Sequence, residues 1–293
     1  MPESVFSHVD GSGDPNELVR YLDATKGVPL FRELGRLLLA ELRVGPGSSV
    51  VDVGCGPGTD ALEIAAAVAP RGRVVGVDAS SIMVAEARRR AAGRGLAVEF
   101  RVGSAERLDL PDAIADACRF ERVLQHLADP AAALREAARV LRPGGQVAAL
   151  EPDWTSLDVS GADPGVVRRV LDVRMAAIPC PDAGARLGRL LSEAGFEEVR
   201  SLELTLSGHH PDALRALRLD AYAGAAARVG AVTGAEAAAL LRALDGGRAG
   251  VRATLHLAAG SRTARAAQRP DVATRRASST RPVTPSLSNA VDR

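Results

Sequence analysis

Residues 50–60 read VVDVGCGPGTD, and this stretch decides the fold. The β-branched Val50, Val51 and Val53 make a buried strand that delivers Asp52. Gly54, Gly56 and Gly58 then alternate through a tight turn, and a helix begins near Thr59. Glycines between a strand and a helix let backbone N–H groups approach a ligand that any Cβ would hold away, and the helix start favours a negative group. A small-molecule site is therefore predicted at the carboxyl end of this strand. Twenty residues beyond Gly58, Asp78 closes a second strand, RVVGVDAS, at the place where an acid accepts hydrogen bonds from ribose hydroxyls. Loop and acid together point to a nucleoside.

Outward from this unit the alternation continues. The helix SIMVAEARRRAAGRG is followed by the strand AVEFRVGSA, the strand and turn ADACRFERVLQHL, the helix DPAAALREAARVL, the turn RPGGQ and the strand VAALEP. Such alternation predicts a mostly parallel sheet with helices on both faces, its cofactor-binding core over residues 48–153. Residues 14–44 precede it as two helices stopped by Gly45-Pro46-Gly47. After Glu151 the rhythm changes. Residues 155–184 carry turn residues and one short helix, ARLGRLLSEAGF is a sheet-packing helix, and EEVRSLELTL and VRATLHLAAG are strands on either side of an Ala-rich helical stretch. Segments 155–184 and 207–245 are expected to cap the core.

The chain has 293 residues, 46% hydrophobic and 25% charged, and no apolar run long enough to span a membrane. MPESVFSHVDGSGD has neither a basic start nor an apolar stretch, so a cytoplasmic location is expected. Cys55, Cys118 and Cys180 are far apart without a CxxC pair, so no disulfide framework and no metal site is expected. The net charge of +1 divides unevenly: residues 261–293 hold seven Arg against two Asp, leaving 30 basic and 34 acidic residues before them. We therefore expect one domain over residues 1–260 and a disordered basic tail over 261–293. A mildly acidic body with 3% aromatic residues offers no case for a nucleic-acid partner.

A dinucleotide fingerprint requires GxGxxG or GxGxxA, and here that last position is Thr59, so the fit to NAD is poor. Asp52, just ahead of the glycines, repels phosphates and suits an ammonium group. S-adenosylmethionine, with an α-ammonium, a carboxylate and a ribose but no phosphate, fits better. VVDVGCGPG resembles the first motif of class I S-adenosylmethionine-dependent methyltransferases, VVGVDAS the second, and RVLRPGGQVAALEP the turn and fifth strand typical of them. The likeness covers about residues 14–205 and is greatest to the small-molecule group that includes the ubiquinone and menaquinone biosynthesis enzymes. It implies a Rossmann-like seven-stranded sheet with the last strand antiparallel.

The resemblance implies that Gly54, Gly56 and Gly58, with Cys55 between them, line the methionine end of the cofactor. Asp78 would hold the ribose, and Ala79 and Met83 would lie against the adenine. Where relatives read GDA after the third strand, this chain has Gly103-Ser104-Ala105, so Ser104 and Ala105 are carried over with Ser in place of the adenine-binding Asp. Strand ends beyond the core supply Glu121 as a further cofactor contact and His126 as a candidate general base. Asp153 and Trp154, an acid beside an aromatic wall, are expected to meet a planar or cationic substrate, with His210 in a lid. The expected activity is methyl transfer to a small organic molecule, at oxygen, in quinone-like or specialised metabolism. Transfer to nitrogen or carbon, a binding or scaffold protein without turnover, and a nicotinamide-dependent reductase are the alternatives.

Overall fold

The computed structural model describes residue 10, residues 15–208 and residues 217–263. Seven strands form one sheet in the order β3-β2-β1-β4-β5-β7-β6. They are β1 (Ser49–Val53), β2 (Arg73–Asp78), β3 (Val98–Val102), β4 (Ala115–Glu121), β5 (Leu141–Ser160), β6 (Phe196–Gly208) and β7 (Gly250–Arg262). Strands β1 to β5 run parallel, while β7 is antiparallel to both β5 and β6. This is the Rossmann-like arrangement that the motifs imply. Strand order reverses at β1, which pairs with β2 on one side and β4 on the other, and ligands of open α/β sheets collect at that crevice.

Helices α1 (Pro15–Gly27) and α2 (Pro29–Glu41) precede the sheet; α3 (Thr59–Val68), α4 (Ser81–Ala91) and α5 (Pro130–Val140) are crossovers. Helices α6 (Pro164–Ala177), α7 (Ala183–Glu193), α8 (Leu219–Arg228) and α9 (Gly234–Asp245) follow β5. Successive strand residues face opposite sides. Val51, Val53 and Phe120 therefore pack with Leu134 and Leu187 from α5 and α7, while Val50 and Ala117 pack with Leu38, Ile64 and Val84 from α2, α3 and α4. Burying one such Leu or Val removes about 1.5–3 kcal/mol of apolar exposure. A third core joins the far end of β5 to the cap helices through Leu157, Val159, Val170, Leu219 and Leu240.

Three differences from the sequence reading are instructive. Residues 155–160 belong to β5, which resumes after a register shift between Asp153 and Asp158, so the first cap segment grows directly out of the sheet. The RPGG turn is absorbed as a bulge: Ala115 pairs with Leu141, but Ala117 pairs with Gln146. Strand β7 runs to Arg262, two residues past the expected boundary, and the Arg262 guanidinium donates to the Leu141 and Arg139 carbonyls. His210 and residues 264–293 lie outside the described residues. None of the described helices is long and apolar enough to cross a membrane, and no metal-holding cluster occurs among the described residues.

Candidate active site

A cavity of about 340 Å³ opens at the carboxyl ends of β1, β2 and β4. Its walls include Gly54, Cys55, Gly56, Asp78, Ala79, Met83, Ser104, Ala105, Glu121, His126 and Trp154. Most of the sequence-predicted site is thus brought together. Helices α1 and α2 close the near side with Tyr21, Leu22, Lys26 and Phe31, and the cap contributes Arg174, Leu217, Arg218 and Tyr222. The three cysteines are free and buried, and burial pushes the Cys55 thiol well above its ordinary value.

The glycine loop works differently from its sequence reading. Gly54 N and Cys55 N both donate to the Val77 carbonyl at 2.7 and 3.1 Å, Gly56 N donates to Asp78 Oδ2 at 2.8 Å, and Gly58 N donates to the Cys55 carbonyl at 3.0 Å. These N–H groups are spent shaping the loop. Gly56, at φ +52, faces the cavity, where a Cβ would come 3.6 Å from Leu22. Gly58, at φ +82, is not a cavity residue: a Cβ there would lie 2.8 Å from Ala87 and 2.9 Å from Phe100, so the position serves helix–sheet packing and caps α3. Thr59 and Asp60, which open α3, face the cavity, and the helix start makes that wall electropositive.

Asp52 is likewise not in the cavity. It is fully buried and accepts from Arg119 Nη1 at 2.8 Å, its register partner across the β1–β4 pair. Arg119 also meets Glu121 and, at 3.2 Å, Asp60, while Lys26 reaches from α1 to Asp60. Burial pushes Asp52 up to about 6 in spite of Arg119. Burial alone would drain the Arg119 charge, but Asp60, Asp52 and Glu121 outweigh it and keep the guanidinium protonated. The sequence reading missed Arg119 and Lys26. A charged residue inside the apolar run ADACRFE was the available signal for the first; nothing local marks the second.

Asp78 spreads its carboxylate over two backbone donors, Gly56 N at 2.8 Å and Ser80 N at 2.9 Å, one on each oxygen. Each oxygen keeps a lone pair for a further donor from the cavity. Ser104 Oγ accepts from Glu106 N at 3.1 Å. Beyond β4 the chain is fixed by Glu151, buried beneath it, whose carboxylate accepts from Val123, Leu124 and Gln125 N–H groups at 2.7, 2.8 and 3.4 Å. Burial pushes Glu151 up to about 7. Gln125 in turn accepts from Trp154 Nε1, and the Trp154 amide donates to the Pro181 carbonyl at 2.9 Å. Asp153 turns away from the cavity and accepts from Thr155 N at 3.0 Å and from Thr155 Oγ1 at 2.5 Å. The cation beside Trp154 is Arg174, 3.9 Å from the ring centroid, so the acidic wall expected for a cationic substrate is reversed in sign.

His126 lines the cavity, but burial, reinforced by the nearby charges of Arg122 and Arg174, pushes its pKa down to about 3. A neutral imidazole whose conjugate acid is this strong is a poor proton acceptor, which argues against general-base work for His126. The shift has a measurable sign. Unfolded His takes a proton near pH 6.5 and folded His126 does not until near pH 3, so His126 costs stability as pH falls below 6.5, by at most about 1.4 kcal/mol per pH unit. We expect His126→Gln to gain stability relative to the parent between pH 6.5 and 4 in urea unfolding; a pH-independent difference would show an ordinary histidine.

The family described as "Methyltransferase domain" matches residues 50–145. An uncharacterized 37.1 kDa protein in transposon TN4556 of Streptomyces fradiae is 46% identical over 63% of this chain and 53% of its own length. Nocamycin O-methyltransferase of Saccharothrix syringae is 33% identical over 68% of this chain and 76% of its own. Among solved structures, the [4+2]-cyclase SpnF matches with a TM-score of 0.52 and 25% identity, covering 79% of this chain and 80% of that one. The chain spans about half the length of the first of these relatives.

Proposed function

We propose, since this chain belongs to the S-adenosylmethionine-dependent methyltransferase family, that it transfers a methyl group to a small organic acceptor, at oxygen, in specialised metabolism. The observation that carries the reading is the union in one cavity of the glycine loop, Asp78 and an adjoining chamber under the cap. The residues fit the cofactor. Asp78 would accept from the ribose hydroxyls, and the electropositive start of α3 with Lys26 would meet the carboxylate. Asp60 and Glu121 would meet the ammonium, and Ala79, Met83 and Ala105 would flank the adenine. When bound, S-adenosylmethionine supplies a methyl group on a sulfonium whose departure leaves a neutral thioether. The protein's task is then to align the acceptor and exclude water, work that the α1–α2 cover and the cap would do. Oxygen as the acceptor atom rests on likeness to the nocamycin O-methyltransferase.

Incubation with methyl-labelled S-adenosylmethionine and a panel of phenols, hydroxyquinones and amines should move label into the phenol or hydroxyquinone fraction. Label on amine or carbon would replace the acceptor atom. Likeness to a protein named as a [4+2]-cyclase favours a second reading, in which this fold serves something other than methyl transfer. Tight binding with no label moved to any acceptor would establish that reading.

A further inference from the structure

The cap brings cations to the cavity. Arg174, on α6, is 4% exposed, and its guanidinium lies 3.9 Å from the Trp154 ring centroid and 4.5 Å from that of Tyr222. Nη1 donates to the Leu217 carbonyl, but Nε is buried without an acceptor, and among the described residues no carboxylate pairs with this arginine. Two more cavity arginines carry buried donors without an acceptor: Nε of Arg122 and Nη1 of Arg218. Each of those has an acid on its other side, Glu121 at 3.5 Å and Glu17 at 3.0 Å. Arg174 has none among the described residues, and a buried cation without a counter-charge is expensive to keep.

Stacking on aromatic rings holds a guanidinium flat and leaves its edge donors free in the plane, the geometry that meets an oxyanion. Phe31, Ile178, Leu206 and Leu255 make the neighbouring walls apolar. We propose that Arg174 is the docking point for the charged oxygen of a hydrophobic organic anion, the methyl acceptor of this enzyme, with Arg122 and Arg218 adding positive charge around it. This rests on the methyltransferase reading and deepens it. When the charged oxygen is the atom methylated, the O–CH3 bond forms as the S–CH3 bond breaks, the anion becomes neutral with no proton to lose, and that step needs no general base.

Calorimetry on the full chain tests this with two anions, 2-naphthoate and the enolate of 2-hydroxy-1,4-naphthoquinone, each against a neutral analogue, 2-naphthamide and 2-methoxy-1,4-naphthoquinone. We expect at least one anion to bind ten times or more tightly than its neutral analogue, and which one does identifies the oxyanion as carboxylate or enolate. Arg174→Met should weaken that anion roughly 10- to 100-fold, the loss expected for a charged hydrogen bond, and bring the preference below threefold. S-adenosylhomocysteine affinity, governed by the glycine loop and Asp78, should stay unchanged. No charge preference in the parent protein, no binding by any of the four, or full preference in Arg174→Met overturns the proposal. Anion preference without S-adenosylhomocysteine binding would overturn the methyltransferase reading and leave the anion site standing.

Discussion

Replacing Asp78 by Ala is expected to abolish measurable cofactor binding. Both carboxylate oxygens already accept a backbone N–H, from Gly56 at 2.8 Å and Ser80 at 2.9 Å, so the group is held in one orientation before any ligand arrives. Two ribose hydroxyls donating to an ionised, preorganised carboxylate contribute about 1.5–3 kcal/mol each, which corresponds to a loss of roughly 10²- to 10⁴-fold. Asp78→Asn separates this from a collapse of the loop. It keeps the size but its amide nitrogen cannot accept, so either Gly56 N–H or Ser80 N–H loses its acceptor along with one ribose hydroxyl. It too should lose most of the affinity for S-adenosylhomocysteine in calorimetry, and thermal unfolding without ligand reads any damage to the loop separately. The thermal stabilisation that excess S-adenosylhomocysteine gives the parent should vanish in both variants. Affinity within threefold of the parent would remove Asp78 from the cofactor site.

Removal of Arg119 should have the largest effect on stability. Its guanidinium is surrounded by Asp52, Asp60 and Glu121, and Asp52 has no other charge partner among the described residues and no solvent. Taking one partner out of a buried ion cluster costs about 3–5 kcal/mol, because the remaining charges stay buried without compensation. We expect Arg119→Met to lose that much in urea unfolding at pH 7. The pH dependence carries a definite sign. Asp52 already titrates near 6 with Arg119 present, and without it the folded-state pKa moves higher, while the unfolded value stays near 3.9. The folded variant then binds more protons than the unfolded chain between these values, so its stability rises as pH falls. The deficit should be larger at pH 8 than at pH 5.5. A deficit below about 1 kcal/mol at both pH values would contradict a buried, ionised cluster.

The parts of the site that sequence made legible are those in which every partner lies within one strand–loop–helix–strand unit. The glycine loop and Asp78 are 22 residues apart at their hydrogen bond, and spacing alone brings them together. Arg119 reaches Asp52 across 67 residues and Lys26 reaches Asp60 across 34, and such pairs appear only once strands are set in register and helices docked. The misplacement of Asp153 has a simpler cause. Adjacent strand residues point to opposite faces, so Asp153 and Trp154 could not both line one cavity, and the structure gives the cavity to Trp154. The same alternation turns Asp52 away from Val51 and Val53, onto the face where Arg119 waits beside the small neighbours Gly76 and Ala148. Arg174 was legible only as one polar residue of a short helix; its stacking on Trp154 and Tyr222 depends on how the cap folds over the sheet.

The position of β7 between β5 and β6 sets an order of assembly. During synthesis β6 leaves the ribosome before β7, yet in the finished sheet it has no direct pairing with β5; every ladder bond it makes is to β7. Until residues 250–262 arrive, the nascent chain carries two unsatisfied edges, one along β5 and one along β6. The last strand closes both in a single step. A ribosome stalled before residue 262 has cleared the exit tunnel therefore holds a chain whose sheet is five strands wide and open, a form suited to capture by chaperones or by a second incomplete copy.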